Sequence, residues 1–75
     1  MKKANAIACL GGESGAAAKL RTTVRAVRNW ETDEHGNLLS LVLMDRIIAA
    51  IYRQRARDLT AAAAISELEA DLARV

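Results

Sequence analysis

Proline and phenylalanine are missing from this 75-residue chain, cysteine and histidine occur once each, and one tryptophan, Trp30, and one tyrosine, Tyr52, supply the aromatics. A lone cysteine, Cys9, excludes an intrachain disulfide; between Ala8 and Leu10 it reads as a reduced, buried core filler. A lone histidine, His35, lies in an acidic loop beside Asp33, Glu34 and Asn37 without spaced partners, so no metal is assigned. No serine, cysteine or histidine is placed for nucleophilic catalysis and no carboxylate pair occupies an apolar stretch, so no catalytic residue and no cofactor is assigned either, and an enzyme is not expected. The run Gly11-Gly12-Glu13-Ser14-Gly15 lacks both the Gly-Lys-Ser/Thr ending and the preceding strand of a phosphate loop, and reads as a helix stop and turn. No apolar run approaches the roughly 20 residues of a membrane span, and the stretch after Lys2-Lys3 is too short for a signal peptide. The expectation is a soluble, cytoplasmic protein with no membrane partner.

What remains is rich in alanine and leucine. Hydrophobic residues make up 52% of the chain and aromatics only 3%, and the β-branched residues are scattered rather than alternating with polar ones. That profile predicts an all-α protein. A single domain of this size buries only about 60% of its unfolded surface, so its core is marginal alone and is often completed by a second subunit. Charge divides the chain: residues 1–30 carry six cations against Glu13, a net +5, and residues 31–75 carry five arginines against eight acids, a net −3. A basic front and an acidic back point to a polyanion-binding end and a separate end for other work.

A first helix is predicted from about Lys3 to Leu10, stopped by Gly11-Gly12, where glycine permits left-handed conformations. A second starts at Glu13 or Ser14 and ends near Leu20. Thr23 caps a third that continues to about Glu31 or Thr32. Residues 32–37 form a polar loop with a Gly-Asn turn signal. From Leu38 a long helical pattern runs to about Arg57, with apolar positions wrapping most of the way round, so that it calls for cover on two sides. Arg53, Arg55 and Arg57 either touch phosphate or form the solvated end of that helix, where cations suit the dipole, and the second reading is preferred. A last segment begins near Leu59-Thr60, with Thr60 as cap. Its Ala61, Ile65, Leu68, Leu72 and Val75 recur at intervals of four, three, four and three. That seam either zips to a partner subunit or folds back on the long helix; one bent helix and two helices are both open for residues 38–75.

The stretch from Ala17 to Trp30 carries the most information. It reads as two short helices bent around Arg21-Thr22-Thr23, a helix-turn-helix. Ala17 is the small residue needed where the helices cross, and Leu20, Val27 and Trp30 fit the inner positions; Trp30 is a packing residue. Val24, Arg25, Arg28 and Asn29 project outward or sideways. Arginine bonds a guanine edge through two hydrogen bonds and asparagine does the same with adenine, each pair discriminating by about 1–3 kcal/mol.

In these residues the chain resembles the phage Cro, YdaS-type and related small repressors, whose motif runs like Ala-Arg-Ala-Leu-Gly-Val-Ser-x-x-Ala-Val-x-Asn-Trp. Ala17, Lys19, Leu20, Thr23, Ala26, Val27, Asn29 and Trp30 carry the match, which covers about residues 3–31. Two positions depart from the pattern. Arg21 stands where glycine is usual, a left-handed position that costs a non-glycine about 1 kcal/mol, and Thr22 replaces an apolar residue. By position the resemblance implies base contacts from Thr23, Val24, Arg25 and Arg28, with Asn29 added by its exposure. It also implies an approach to phosphate by Glu13, Ser14 and Lys19, and phosphate contacts are assigned to Lys2, Lys3, Ser14, Lys19 and Arg21.

The expectation is therefore a sequence-specific regulator of phage or prophage type, bound to double-stranded DNA at a palindromic operator. Repression and activation are equally compatible. Residues 1–31 would be the reading head, and residues 38–75 would dimerise, with a tetramer also open, through Met44, Ile48, Ile51, Tyr52, Ile65, Leu68 and Leu72. Two alternatives stand beside it. One is a DNA-binding subunit of a phage packaging or transposition machine. The other is a helical adaptor that binds a protein through residues 38–52 and not DNA.

Overall fold

The computed structural model describes residues 1–58 and 60–75, and its architecture is all-α. Helix α1 spans Lys3–Cys9, α2 Gly12–Lys19, α3 Val24–Arg28, α4 Leu41–Asp58 and α5 Ala61–Arg74. Among the described residues there is no strand, only isolated antiparallel bridges pairing Lys2 with Asn37 and Thr32 with Leu38. Residues 38–75 therefore hold two helices. Thr60 takes the N-cap position of α5 in an extended conformation, but its side chain makes no capping bond. Leu59, where the segment was expected to begin, lies outside the described residues.

Two boundaries differ from expectation. Helix α3 stops at Arg28 instead of running to Glu31. The Asn29 and Trp30 N–H groups donate to Ala26 and Val27, three residues back, at 3.2 and 3.3 Å. That tightened last turn brings Trp30 against the core. Helix α4 starts at Leu41 because Ser40 caps it, its Oγ accepting from the Leu43 N–H at 3.1 Å. Leu38 instead anchors the loop, buried in the core while its N–H donates to the Met1 carbonyl at 2.8 Å.

One hydrophobic cluster takes residues from every helix: Ala6 from α1, Ala16 and Ala17 from α2, Val27 from α3, Ile47, Ala50 and Ile51 from α4, and Leu68 from α5. The front helices and the back pair thus share a core. Cys9 packs against it only half-buried, where full burial was expected. The seam on α5 folds back on the long helix of its own chain: Leu68 is buried, and Leu72 and Val75 pack beside it.

Beneath that seam Asp71 is 1% exposed. Its carboxylate accepts from Arg55 Nε at 2.6 Å and from Arg74 Nη2. Burial pushes the carboxyl up, but the bonds from Arg55 and Arg74 outweigh it and hold the group below its ordinary value. The two chain ends meet here as well. The Lys2 N–H donates to the Val75 carbonyl at 2.7 Å, and Asn5 Nδ2 donates to the Arg74 carbonyl at 2.8 Å.

The polar loop is a tight turn built on one aspartate. Asp33 Oδ1 accepts from the backbone N–H of Asn37 at 2.9 Å and of His35 at 2.8 Å, and these bonds lower its pKa.

Candidate nucleic-acid interface

The bend between α2 and α3 follows from how α2 ends. The Thr22 N–H donates to the Ala17 carbonyl at 2.9 Å and the Arg21 N–H to the Ala18 carbonyl at 3.3 Å. This is the paired closure of a Schellman motif, which needs a left-handed residue just past the cap. Arg21 fills that place with φ 55°, and no other described non-glycine residue has a positive φ. Thr22 is exposed, so it contributes no core contact. Two residues on, Thr23 is extended and its Oγ1 accepts from the Ala26 N–H at 3.0 Å, which starts α3.

The helix pair packs through small and aliphatic side chains. Ala17, Leu20 and Val27 are buried and Trp30 is half-buried against them. Thr23, Arg25, Arg28 and Asn29 are exposed on the outer side of α3, and Val24 is half-buried at its edge. Arg25 makes no side-chain hydrogen bond or ion pair among the described residues. Arg28 Nε donates to Glu13 Oε2 at 2.6 Å, both side chains remaining well exposed. Glu13, in the first turn of α2, thus faces an arginine of α3 and suits the positive helix end as well.

The cations expected at phosphate have different partners. Lys3 Nζ donates to the carbonyls of Arg28 and, at 3.2 Å, Trp30, which close α3. Lys19 Nζ donates to the Leu10 carbonyl at 2.9 Å at the end of α1. Lys2 Nζ donates to the His35 carbonyl at 2.6 Å. A further cation, Arg46, donates from Nη2 to the Leu20 carbonyl at 2.9 Å at the end of α2. Each front helix therefore ends on a carbonyl held by a cation from another helix, where the dipole leaves negative charge and unpaired acceptors. Lys2, Lys3 and Lys19 lend charge to this face while their ammonium groups hold the fold. Ser14 and Arg21 are exposed and free of such contacts among the described residues.

The residues named for dimerisation divide. Ile51 and Leu68 are withdrawn into the chain's own core, which corrects their assignment to a contact with a second chain. Leu72 is half-buried against the same core, as is Met44. Ile48, Tyr52 and Ile65 are exposed at 37%, 53% and 52%, and Leu41 and Val42 more so. The expected second cover of α4 is thus absent from a single chain.

Arg53 and Arg57 belong to the run that the sequence leaves between phosphate contact and a solvated helix end, whereas Arg46 is not singled out by it. At 100° per residue Arg46, Arg53 and Arg57 fall within about 40° of one another on α4, a stripe roughly 140° from the one that carries Leu41, Ile48 and Tyr52. Arg53 and Arg57 line a groove against α2 and its turn, and Arg55, between them in sequence, turns away to Asp71. The reading of all three as a solvated helix end therefore fails for Arg55. The available signal was the spacing of 46, 53 and 57, seven and four residues apart.

No protein-family model matches this chain, and no curated protein or solved structure matches it. Among the described residues no helix is long and apolar enough to cross a membrane.

Proposed function

We propose that this chain is a sequence-specific double-stranded-DNA-binding regulator, with α3 as the helix that enters the major groove. The observation that carries this reading is the α2–turn–α3 unit. A left-handed Arg21 and a Thr23 cap aim a short helix whose inner side is apolar and whose outer side offers Thr23, Arg25, Arg28 and Asn29. The likeness of residues 17–30 to small phage repressors supports the same reading.

Arg25 is the side chain ready to bond a guanine edge. Arg28 must first leave Glu13, and an exposed ion pair of this kind is worth at most about 1 kcal/mol, so a bidentate base contact of about 1–3 kcal/mol outweighs it. Glu13 then acts as a filter: a register that does not satisfy Arg28 returns it to the carboxylate.

Dimerisation is proposed through the open stripe of Leu41, Ile48 and Tyr52 with Ile65, since a small regulator with exposed apolar residues gains from burying them in a second copy. A two-fold dimer reads a palindrome with half-sites about 34–36 Å apart. In sedimentation, Ile48→Glu with Tyr52→Glu lowers the mass to that of one chain. A mass of eight or more chains for the wild type would favour a packaging ring instead.

The direct test is selection from a random duplex pool followed by fluorescence anisotropy at two salt concentrations. The expected result is a palindrome, with Arg25→Ala/Arg28→Ala losing about 2–6 kcal/mol and the sequence preference. Weak, strongly salt-dependent binding with no enriched sequence would overturn the reading.

A further inference from the structure

We infer that the groove between α4 and the α2 turn is a track for the phosphodiester backbone of the same duplex, an assignment that rests on the DNA-binding reading above. The groove encloses about 860 Å³ and is lined by Lys19, Arg21, Arg46, Arg53 and Arg57, with no carboxylate in its wall among the described residues. Lys19 and Arg46 each give one bond to a helix end, whereas Arg21, Arg53 and Arg57 make no side-chain bond among the described residues. Five like charges around one groove repel one another, and an occupant that brings negative oxygens relieves that repulsion.

Position favours the DNA backbone over a free phosphorylated molecule. Arg21 belongs both to the groove and to the turn that leads into α3, two residues before the Thr23 cap. A strand leaving the start of α3 therefore meets the groove without a gap. From Arg46 to Arg57 the stripe runs on the order of 16 Å along α4, long enough to meet more than one phosphate of a strand. The contact is to oxygens common to every nucleotide, so it adds affinity and register without sequence choice.

The experiment measures binding of the selected duplex across a salt series for the full chain and for Arg53→Gln/Arg57→Gln, which removes two exposed charges and keeps good helix formers. Ala62→Glu/Ala63→Glu on exposed α5 positions makes the same change in net charge away from the groove. The groove variant should bind all duplexes more weakly by the same factor. Its log–log salt slope should fall by about 2, with the selected sequence unchanged; the α5 variant should keep the wild-type slope. Titration with inorganic tripolyphosphate, followed by NMR of the arginine side chains, separates the two sources of phosphate. A wild-type slope in the groove variant overturns the backbone track while leaving DNA binding by α3 in place. That slope together with tight tripolyphosphate binding, lost in the variant, would reassign the groove to a free phosphorylated ligand. Absence of any duplex binding by the wild type overturns the reading and the track together.

Discussion

Helices α1, α2 and α3 run seven, eight and five residues, whereas α4 and α5 run eighteen and fourteen. Helices as short as the first three are unstable in isolation, because nucleation outweighs the few bonds that follow. They persist through the core they share with α4, through one close backbone approach and through cations placed on their final carbonyls by Lys19, Arg46 and Lys3. The long pair relies on apolar stripes meeting at Ile47, Ile51 and Leu68 and on one buried carboxylate. The front is thus held at points and the back along a seam. What the front buries is mostly small, Ala6, Ala16 and Ala17 beside Leu10, Leu20 and Val27, while the outer side of α3 stays polar.

The sharpest point of attachment is Gly15. A Cβ there would lie 2.3 Å from the Leu10 carbonyl oxygen and 3.3 Å from its carbon. That oxygen is backbone and also receives Lys19, so it cannot step aside without moving the end of α1. Overpacking typically costs 1–3 kcal/mol, and alanine's helix preference returns about 1. A backbone neighbour puts the cost at the top of that range, so Gly15→Ala should still lose about 2 kcal/mol in denaturant unfolding. Gly12→Ala is the comparison, since nothing lies within 4 Å of a Cβ there and only the positive φ opposes it. Equal losses would show that backbone conformation, not the close approach, decides.

The back of the molecule is tested at Asp71. Asp71→Asn keeps an acceptor but leaves the Arg55 guanidinium, 30% exposed, without its charge partner, for a loss of about 2 kcal/mol at neutral pH. The sign with pH follows from the lowered pKa. The unfolded chain binds the proton more readily, so this contribution is present above the ordinary value of 3.8 and is lost as pH falls below it. Wild type and Asp71→Asn should therefore converge in stability on the acid side of about pH 4. Curves that stay parallel there would exclude a role for ionised Asp71.

Lys3→Met probes the cation-on-carbonyl device at the front. It keeps the apolar stem and removes the donor to Arg28 and Trp30, for about 1 kcal/mol at low salt. Because α3 alone depends on that lysine, amide exchange at Asn29 and Trp30 should quicken more than at Ile47 or Ile51. Uniform acceleration would mean that α3 opens only with the whole core.

Much of this division was legible in the residues. Periodicity placed the first three helices and a helical back half, though not its division into two helices; Gly11-Gly12 marked the first stop, and Ala17, Leu20, Val27 and Trp30 marked the inside of the helix pair. The cost of an arginine at a left-handed turn was also readable, and φ 55° at Arg21 bears it out. Interactions set by tertiary approach were not legible. Lysines 2, 3 and 19 look like free surface charge until the ends of distant helices are brought to them. Gly15 looks like part of a turn until α1 crosses it. The a/d spacing of α5 is the same whether the seam meets another chain or its own, and only the length of the connection back to α4 decides. Helix α3 is shorter than its sequence pattern suggests, since nothing local announces that Lys3 will close it.

The smallest effect separates the fold from the proposed ligand most cleanly. In the left-handed conformation a non-glycine residue costs about 1–2 kcal/mol, and glycine returns about 0.5–1 through the unfolded chain's extra freedom. Arg21→Gly should therefore raise stability by about 0.5 kcal/mol. It should also weaken duplex binding and lower the salt slope by about 0.9, the release expected from one lost phosphate contact. Opposite movements of stability and affinity would mean that the arginine is kept for its charge against the demands of the turn. A variant that loses stability would show that the Arg21 side chain supports the bend itself. One that gains stability and keeps its affinity would remove Arg21 from the proposed contact surface.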